Sequence, residues 1–279
     1  MSANKKKIGI ILLILLLLIP GIWYANELRK KADPEPETVD PVEPADPVEP
    51  AEEKGIDLTA YHELWTANKA INEDYVGQIV FPSGLIDLPV VQGYSNDEYL
   101  RKDWETGKYT EEGSIFLDSF HSLTDQNLTI YGHFVYKSLD PERTKMFTPL
   151  EKLMEKVNYE DNKTVYLILE EEAREYEIVL IFLCPLEADA SGEYVYAADD
   201  MQYYWANQGS DYFNYTDRTI NANYFNDYIN SAKGRACYPI DAQYGYDDHY
   251  MTLQTCVENH PELREIVLCK EVSRTPYGS

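Results

Sequence analysis

The chain has 279 residues and carries 49 acidic against 24 basic side chains, a formal net charge of −25 at pH 7. This excess of negative charge argues against a nucleic-acid partner, since binding to phosphate backbones depends on lysine and arginine. Its four cysteines, Cys184, Cys237, Cys256 and Cys269, show no C-x-x-C pair and no metal-ligand spacing, which disfavours a zinc site and a dense disulfide framework.

The first predicted element is a single transmembrane anchor at residues 8–25 (IGIILLILLLLIPGIWYA), after a cytoplasmic tail of residues 1–7. A cleaved signal peptide is the competing interpretation, because three lysines precede the apolar run. The run is long for a signal peptide, however, and no clear A-x-A cleavage site follows it. The large polar remainder of the chain leads us to expect its C-terminal part outside the cell membrane.

An acidic stalk is predicted at residues 26–56. Within it, residues 33–53 repeat the sequence DPVEPA and carry nine carboxylates with no cation. Proline alternating with charge prevents a helix or sheet from propagating, so an extended spacer is expected. Residues 57–279 then have the length of one domain with a sizeable core.

This domain is predicted to be mainly β, a closed eight-stranded barrel with an N-terminal helix and two peripheral helices. Leu58, Tyr61, Leu64, Trp65 and Ile71 recur at helical spacing and predict the N-terminal helix. Eight short β-rich runs in one domain favour a closed barrel. The runs are 77–81, 87–92, 114–118, 128–132, 164–170, 175–184, 251–256 and 264–270.

Two further helices interrupt the predicted strands. Thr148-Pro149-Leu150-Glu151 has the pattern of a capping box with proline at the first helical position, followed by an apolar stripe of Leu150, Leu153, Met154 and Val157. A weaker helical pattern covers residues 221–232, inside a tyrosine-rich stretch. Those tyrosines could line a peptide groove or cover the core with amphipathic rings.

The chemistry of the chain centres on Thr252-Leu253-Gln254-Thr255-Cys256, with Arg264 downstream and Tyr131-Gly132-His133 upstream. A thiol, an imidazole and a guanidinium can act as nucleophile, proton carrier and oxyanion stabiliser in acyl transfer, without a metal or organic cofactor. Each also has a structural interpretation, since a strand-end cysteine is often a small core residue. In the predicted strand, Cys256 shares one face with Thr252 and Gln254, and Arg264 begins the next strand.

Other residues of the same types compete for these roles. His249 and His260 are close to Cys256 along the chain, and the remaining histidines are His62 and His121. Cys184 and Cys269 each end an apolar run and are expected in the core, with a disulfide between them left open. Cys237 lies in a loop-like segment and has no assigned role.

Taken together, these motifs resemble the class B sortases, membrane-anchored cysteine transpeptidases of Gram-positive bacteria. The resemblance runs from about residue 57 to the end and includes VGQIVF, IDLPVVQ followed by SNDEYL, GSIFLD, DQNLTIYGHF, KMF and TLQTC with a downstream arginine. It implies that His133, Cys256 and Arg264 are the catalytic residues.

The resemblance also implies a reaction. Cys256 would cleave a C-terminal sorting motif of a secreted protein after threonine, form a thioester, and transfer the acyl group to an amine of a peptidoglycan precursor. We expect no cofactor and no metal, since no calcium-binding loop is present. Two alternatives stay open: a pilus-type enzyme that joins subunits through a pilin lysine amine, and a stalked, non-enzymatic surface adhesin.

The sequence departs from the family pattern in three places. Phe134 stands where asparagine is frequent, Gln254 stands where serine is common, and residues 185–250 form a long, tyrosine-rich stretch. None of these touches the three candidate catalytic residues. They bear on peptide specificity, because the family builds part of its substrate groove from that stretch.

Overall fold

The computed structural model describes residues 56–197, 199–206 and 218–277. The predicted tail (1–7), the anchor (8–25) and all of the stalk (26–56) except its last residue lie outside this part. No helix in the described ranges is both long and apolar enough to cross a lipid bilayer.

Ten strands occur in the described part of the chain. They are β1 Tyr75–Val80, β2 Asp87–Val91, β3 Ile115–Leu117, β4 Asn127–Tyr131, β5 Thr164–Ile168, β6 Glu172–Pro185, β7 Glu187–Ala188, β8 Tyr194–Val195, β9 Tyr250–Val257 and β10 His260–Pro276. Eight of them overlap the eight β-rich runs of the sequence. The missed pair, β7 and β8, forms a separate two-stranded ribbon whose four residues are all exposed, so it has no apolar alternation to detect.

The eight strands that the sequence predicted close into a barrel in the order β1-β2-β3-β4-β9-β10-β6-β5, which confirms the predicted fold class. Two pairs, β2 with β3 and β4 with β9, are parallel, and the others are antiparallel. The parallel pairing of β4 and β9 matters most for function, because it carries the ends of both strands to the same end of the barrel.

Side-chain alternation separates the inside of the barrel from its outer face. Every one of the eight strands contributes to one buried cluster, which includes Ile130, Leu253 and Val267 and fills the interior. The neighbouring side chains on β6, β9 and β10 point outward and form a second cluster with two helices, α3 (Met201–Ala206) and α4 (Arg218–Lys233). Helix α4 confirms the helix predicted at 221–232.

The N-terminal helix α1 spans Leu58–Ile71, and the Asp57 side chain caps it by accepting hydrogen bonds from two backbone N–H groups. Trp65 is buried, but Leu64 and Ile71 are 37% and 51% exposed. The predicted apolar stripe is therefore only partly used for packing.

The helix expected from the capping box is wrong in type. Residues Thr148–Met154 form a 3₁₀ helix, followed by a second one at Lys156–Asn158 and a short α2 at Tyr159–Asn162. The Thr148 hydroxyl accepts a hydrogen bond from Val135 N at 2.8 Å and does not cap the helix. Val157, placed in the stripe by its spacing, is 80% exposed. A third 3₁₀ turn occurs at Glu98–Leu100.

Candidate active site

The register of three neighbouring strands brings the predicted site residues to one end of the barrel. On the antiparallel pair β9 and β10, Cys256 lies directly opposite Arg264. On the parallel pair β4 and β9, Tyr131 lies opposite Gln254, and Gly132 N donates to Gln254 O at 3.2 Å just beyond the strand. His133 is therefore in step with Cys256, one strand away on the side opposite Arg264. Adjacent strands are about 4.8 Å apart.

The candidate site is on the outer face of the barrel. Met251 and Leu253 belong to the interior cluster, so alternation turns Thr252, Gln254 and Cys256 outward, as predicted from the sequence. Residues 250–255 are buried, whereas Cys256 is partly exposed. The thiol thus stands where the buried strand reaches solvent, which a nucleophile requires.

Close packing at position 132 explains why a glycine precedes His133. A Cβ atom added there would come within 2.6 Å of the Phe147 ring and even closer to a methyl group of Ile115. Only a residue without a side chain fits this close approach. The packing of two buried side chains against Gly132 fixes the backbone that carries His133.

His133 is half-buried, and its Nε2 lies 2.7 Å from the carbonyl oxygen of Leu100. Because a carbonyl only accepts, Nε2 carries a proton and Nδ1 is the basic nitrogen of the neutral ring. Burial lowers the pKa of His133 from its usual value, and the charges of Arg101 and Arg264 lower it further against the opposing hydrogen bond. Arg264 is close enough to His133 to influence its titration.

Arg264 is held by its own strand. The Cα pairing of β9 with β10 passes from Val257–His260 directly to Cys256–Arg264, so residues 261–263 bulge from the ladder. Nη1 of Arg264 donates to the carbonyl oxygens of Pro261 and Leu263 at 3.0 and 2.9 Å. Within the described residues, Nε and Nη2 make no hydrogen bond and are free to bind an oxyanion.

The other histidines are less suited to act with Cys256. Both ring nitrogens of buried His121 are engaged, by Asp125 and by the carbonyl of Ala206. His62 packs against Tyr277 with the two rings tilted by 40°. His249 precedes the first residue of β9, which places it about 23 Å from Cys256 along an extended strand. His260 is near the thiol but exposed, and it pairs with Glu262.

All four cysteines are free, so the possible Cys184–Cys269 disulfide is absent. Cys184 lies on the outer face opposite Arg264, where Arg235 Nη1 contacts its sulfur at 3.2 Å, and burial raises the pKa of its thiol to about 12. Burial likewise raises the pKa of Cys237 to about 11 and strongly raises that of Cys269, inside the barrel. A raised thiol pKa makes these three residues poor nucleophiles.

Of the two roles considered for the tyrosine-rich stretch, the structure shows that some of its tyrosines cover core. Tyr228 stacks on Trp205 in the outer cluster and covers core. Tyr196 instead lies over the candidate site, where its hydroxyl donates to Gln254 Oε1 at 2.6 Å. Burial raises the pKa of Tyr196 well above its usual value, and the positive charge of Arg264 opposes part of this rise. Sequence reasoning missed Tyr196 because nothing local separates it from its neighbours.

Two departures from the family pattern also have structural roles. Gln254 accepts a hydrogen bond from the Tyr196 hydroxyl. The guanidinium carbon of Arg143 lies 4.4 Å from the centre of the Phe134 ring. Among the described residues, no group of three or more His, Cys, Asp or Glu could hold a metal ion.

Comparison with known proteins supports the resemblance seen in the motifs. Sortase B of Staphylococcus aureus is 34% identical over 97 residues, and sortase B of Listeria monocytogenes is 25% identical over 196 residues. By sequence and fold, the chain is similar to the class B sortases. The matched segments cover 34% and 67% of this chain, but only 37% and 64% of those two proteins. No family model matches.

Solved class B sortase structures share the fold. That of Clostridium perfringens sortase B superposes with a TM-score of 0.58 at 24% identity, covering 75% of this chain and 99% of that one. A Staphylococcus aureus sortase B–substrate complex gives 0.56 at 21%, covering 76% and 86%. A sortase B complexed with a triglycine peptide gives 0.55 at 22%, again covering 76% and 86%. The eight-stranded barrel is thus the class B sortase barrel.

Proposed function

We propose that this protein is a sortase-type cysteine transpeptidase in which Cys256, His133 and Arg264 are catalytic. The observation that carries the proposal is the strand register that sets Cys256 on β9 between Arg264 on β10 and His133, which follows the end of β4, on one partly exposed outer face. Unrelated structural residues would have no reason to share one end of three adjacent strands.

The reaction begins when the Cys256 thiolate attacks the carbonyl carbon of a threonine in the sorting motif, forming a C–S bond. Nε and Nη2 of Arg264 donate hydrogen bonds to the developing oxyanion; loss of one such donor typically costs about 3 to 4 kcal/mol. The tetrahedral adduct then collapses with cleavage of the peptide C–N bond. Protonated His133 delivers its Nδ1 proton to the departing amine.

The second half of the reaction releases the thiol. An amine attacks the thioester carbonyl, neutral His133 accepts the proton that this amine loses, and the C–S bond breaks to restore the thiolate. The lowered pKa of His133 keeps most of the imidazole neutral near pH 7, so the state with thiolate and imidazolium together is a small fraction. Slow turnover follows from that small fraction.

The comparisons support the two substrates proposed here. One solved structure is a Staphylococcus aureus sortase B–substrate complex, and another is a sortase B complexed with a triglycine peptide, which offers a free α-amine. For this chain we propose a secreted protein bearing a C-terminal sorting motif as acyl donor and a peptidoglycan precursor amine as acceptor. Residues 8–25 would anchor the enzyme in the cell membrane, and the acidic stalk would hold the domain outside.

The test is the identity of the product. The full-length protein is incubated with a library of threonine-containing peptides and with cell-wall precursor, and the junction is sequenced by mass spectrometry. We expect threonine joined to the amine of the cross-bridge, and no product with Cys256→Ala. A junction to a lysine side chain of a pilin would assign the pilus-type reaction, and the absence of any junction would contradict the transpeptidase proposal.

A further inference from the structure

The loop that follows His133 is closed immediately beside it. Phe134 and Met146 form an isolated antiparallel bridge, and Phe147 N donates to His133 O at 3.1 Å. Residues 134–147 therefore form a 14-residue loop whose two ends meet at the candidate site. The conformation of this loop is therefore coupled to the backbone of His133.

Buried Asp140 folds the tip of the loop. Its Oδ2 accepts hydrogen bonds from Thr144 N at 2.7 Å and Lys145 N at 2.8 Å, and its carbonyl accepts one from Arg143 N at 3.2 Å. Between these bonds Arg143 adopts a left-handed backbone with φ of 59°. This conformation is unfavourable for a side chain that cannot bond to its own backbone, so the surrounding structure must impose it.

From this backbone conformation, the Arg143 side chain contacts three separate segments of the chain. Its Nε donates to Glu151 Oε1 at 2.7 Å, and Nη2 pairs with the other oxygen of the same carboxylate. Nη1 donates to Glu258 Oε1 at 3.2 Å, and the guanidinium lies 4.4 Å above the Phe134 ring. The side chain is only 15% exposed. Phe134 follows His133 directly, and Glu258 is two residues after Cys256.

We propose that Arg143 is a positioning residue that couples the segment carrying His133 to the segment carrying Cys256. The inference rests on the proposed transpeptidase function. A planar guanidinium can bond to Glu151 with two nitrogens, reach Glu258 with a third and stack on Phe134 at the same time. A lysine ammonium keeps the charge but cannot make these contacts together.

The test compares Arg143→Gln and Arg143→Lys with a control, Arg174→Gln, in the full-length protein. Arg174 is also buried, with 6% side-chain exposure, and bonds Glu172 and the Leu123 carbonyl far along β6 from the site. Four quantities are measured: kcat and KM for the accepted peptide, the thermal midpoint, and the pKa of His133. The last is obtained from deuterium exchange at the imidazole C2, resolved by peptide mass spectrometry.

Both Arg143 variants are expected to lower kcat by about ten- to a hundredfold, because small misplacements of reacting groups have effects of this size. KM should change less than twofold. A looser loop exposes His133 to water, so the pKa of His133 rises toward 6.5, the value it has when solvated. Arg174→Gln should lower the thermal midpoint without changing kcat or the pKa of His133.

Two results would overturn the inference. In one, both Arg143 variants match Arg174→Gln in kcat and in the pKa of His133, which would make Arg143 a structural residue. In the other, Arg143→Lys behaves as wild type while Arg143→Gln does not, which would assign the effect to charge alone. If the wild-type protein forms no acyl-enzyme, the transpeptidase proposal fails, but the His133 measurement still decides the role of Arg143.

Discussion

Cys256 and Arg264 are direct cross-strand partners, and the three residues preceding Arg264 bulge out of the ladder. The bulge supplies the two carbonyl oxygens that hold one nitrogen of the guanidinium, and no carboxylate among the described residues forms a salt bridge with Arg264. A β-bulge placed in this way aims a side chain at a site while the strands stay paired.

Arg264→Ala is expected to reduce kcat/KM by at least a hundredfold, because the oxyanion loses its donor. The domain should stay folded, and Cys256 should still react with a small alkylator, since the thiol itself is unchanged. Circular dichroism and alkylation followed by mass spectrometry check both points. A variant with near-normal turnover would show that another group stabilises the oxyanion.

The base is tested by alkylating Cys256 across a range of pH in five single variants, His62→Ala, His121→Ala, His133→Ala, His249→Ala and His260→Ala. Only His133→Ala should change the pH profile of the thiol. His260 is the sharpest control, because it lies in the same hairpin as Cys256 but pairs with Glu262. An effect confined to His249 or His260 would reverse the assignment.

Gly132→Ala is expected to destabilise the domain by about 1 to 3 kcal/mol, because the added methyl group collides with the Phe147 ring. It should also reduce kcat by displacing His133. Gly234→Ala is the control, since the nearest atom to its added Cβ is 3.3 Å away and Gly234 lies in the turn after α4, outside the three strands of the candidate site. Chemical denaturation and turnover measure the two effects; equal behaviour of both variants would contradict the account.

Glu265 predicts an unusual dependence of stability on pH. It is fully buried inside the barrel beneath Arg264, and neither carboxyl oxygen has a hydrogen-bond partner among the described residues. Burial, aided by the charge of Glu151, raises the pKa of Glu265 to about 8. In the unfolded chain its pKa is near 4.5.

The sign of the effect follows from these two values. Below its pKa in the unfolded chain, the Glu265 carboxyl is protonated in both the folded and the unfolded state. It then does not lower the free energy of unfolding. Between about 4.5 and 8 only the unfolded chain ionises, so the free energy of unfolding falls as pH rises, by at most about 1.4 kcal/mol per pH unit. Glu265→Met, similar in volume and uncharged, should become more stable than wild type by roughly 3 kcal/mol between pH 5 and pH 8. Denaturation curves whose difference is independent of pH would contradict this prediction.

The sequence predicted the barrel well because each strand alternates or is continuously apolar, and each motif of the site lies at a strand end. It failed where a side chain has a distant partner. Thr148 looks like a helix cap, but its hydroxyl is taken by Val135 N. Arg143 bonds Glu258, which is 115 residues away, and no local pattern reveals such a contact.

The tyrosine-rich stretch illustrates the same limit. Tyr196 and Tyr228 belong to the same tyrosine-rich stretch, yet one contacts Gln254 beside the candidate site and the other packs in the outer cluster. Periodicity predicts which face of an element is buried. It does not predict which tyrosine of this stretch reaches a strand from another part of the chain.

The most direct test of the central claim is the intact mass of the full-length protein after brief reaction with a threonine-containing sorting peptide in the absence of an amine. We predict a mass increase equal to the acyl fragment, located on Cys256, reversed by hydroxylamine and absent from Cys256→Ala. An acyl group on another residue, or an unmodified protein after peptide cleavage, would contradict a thioester mechanism at Cys256.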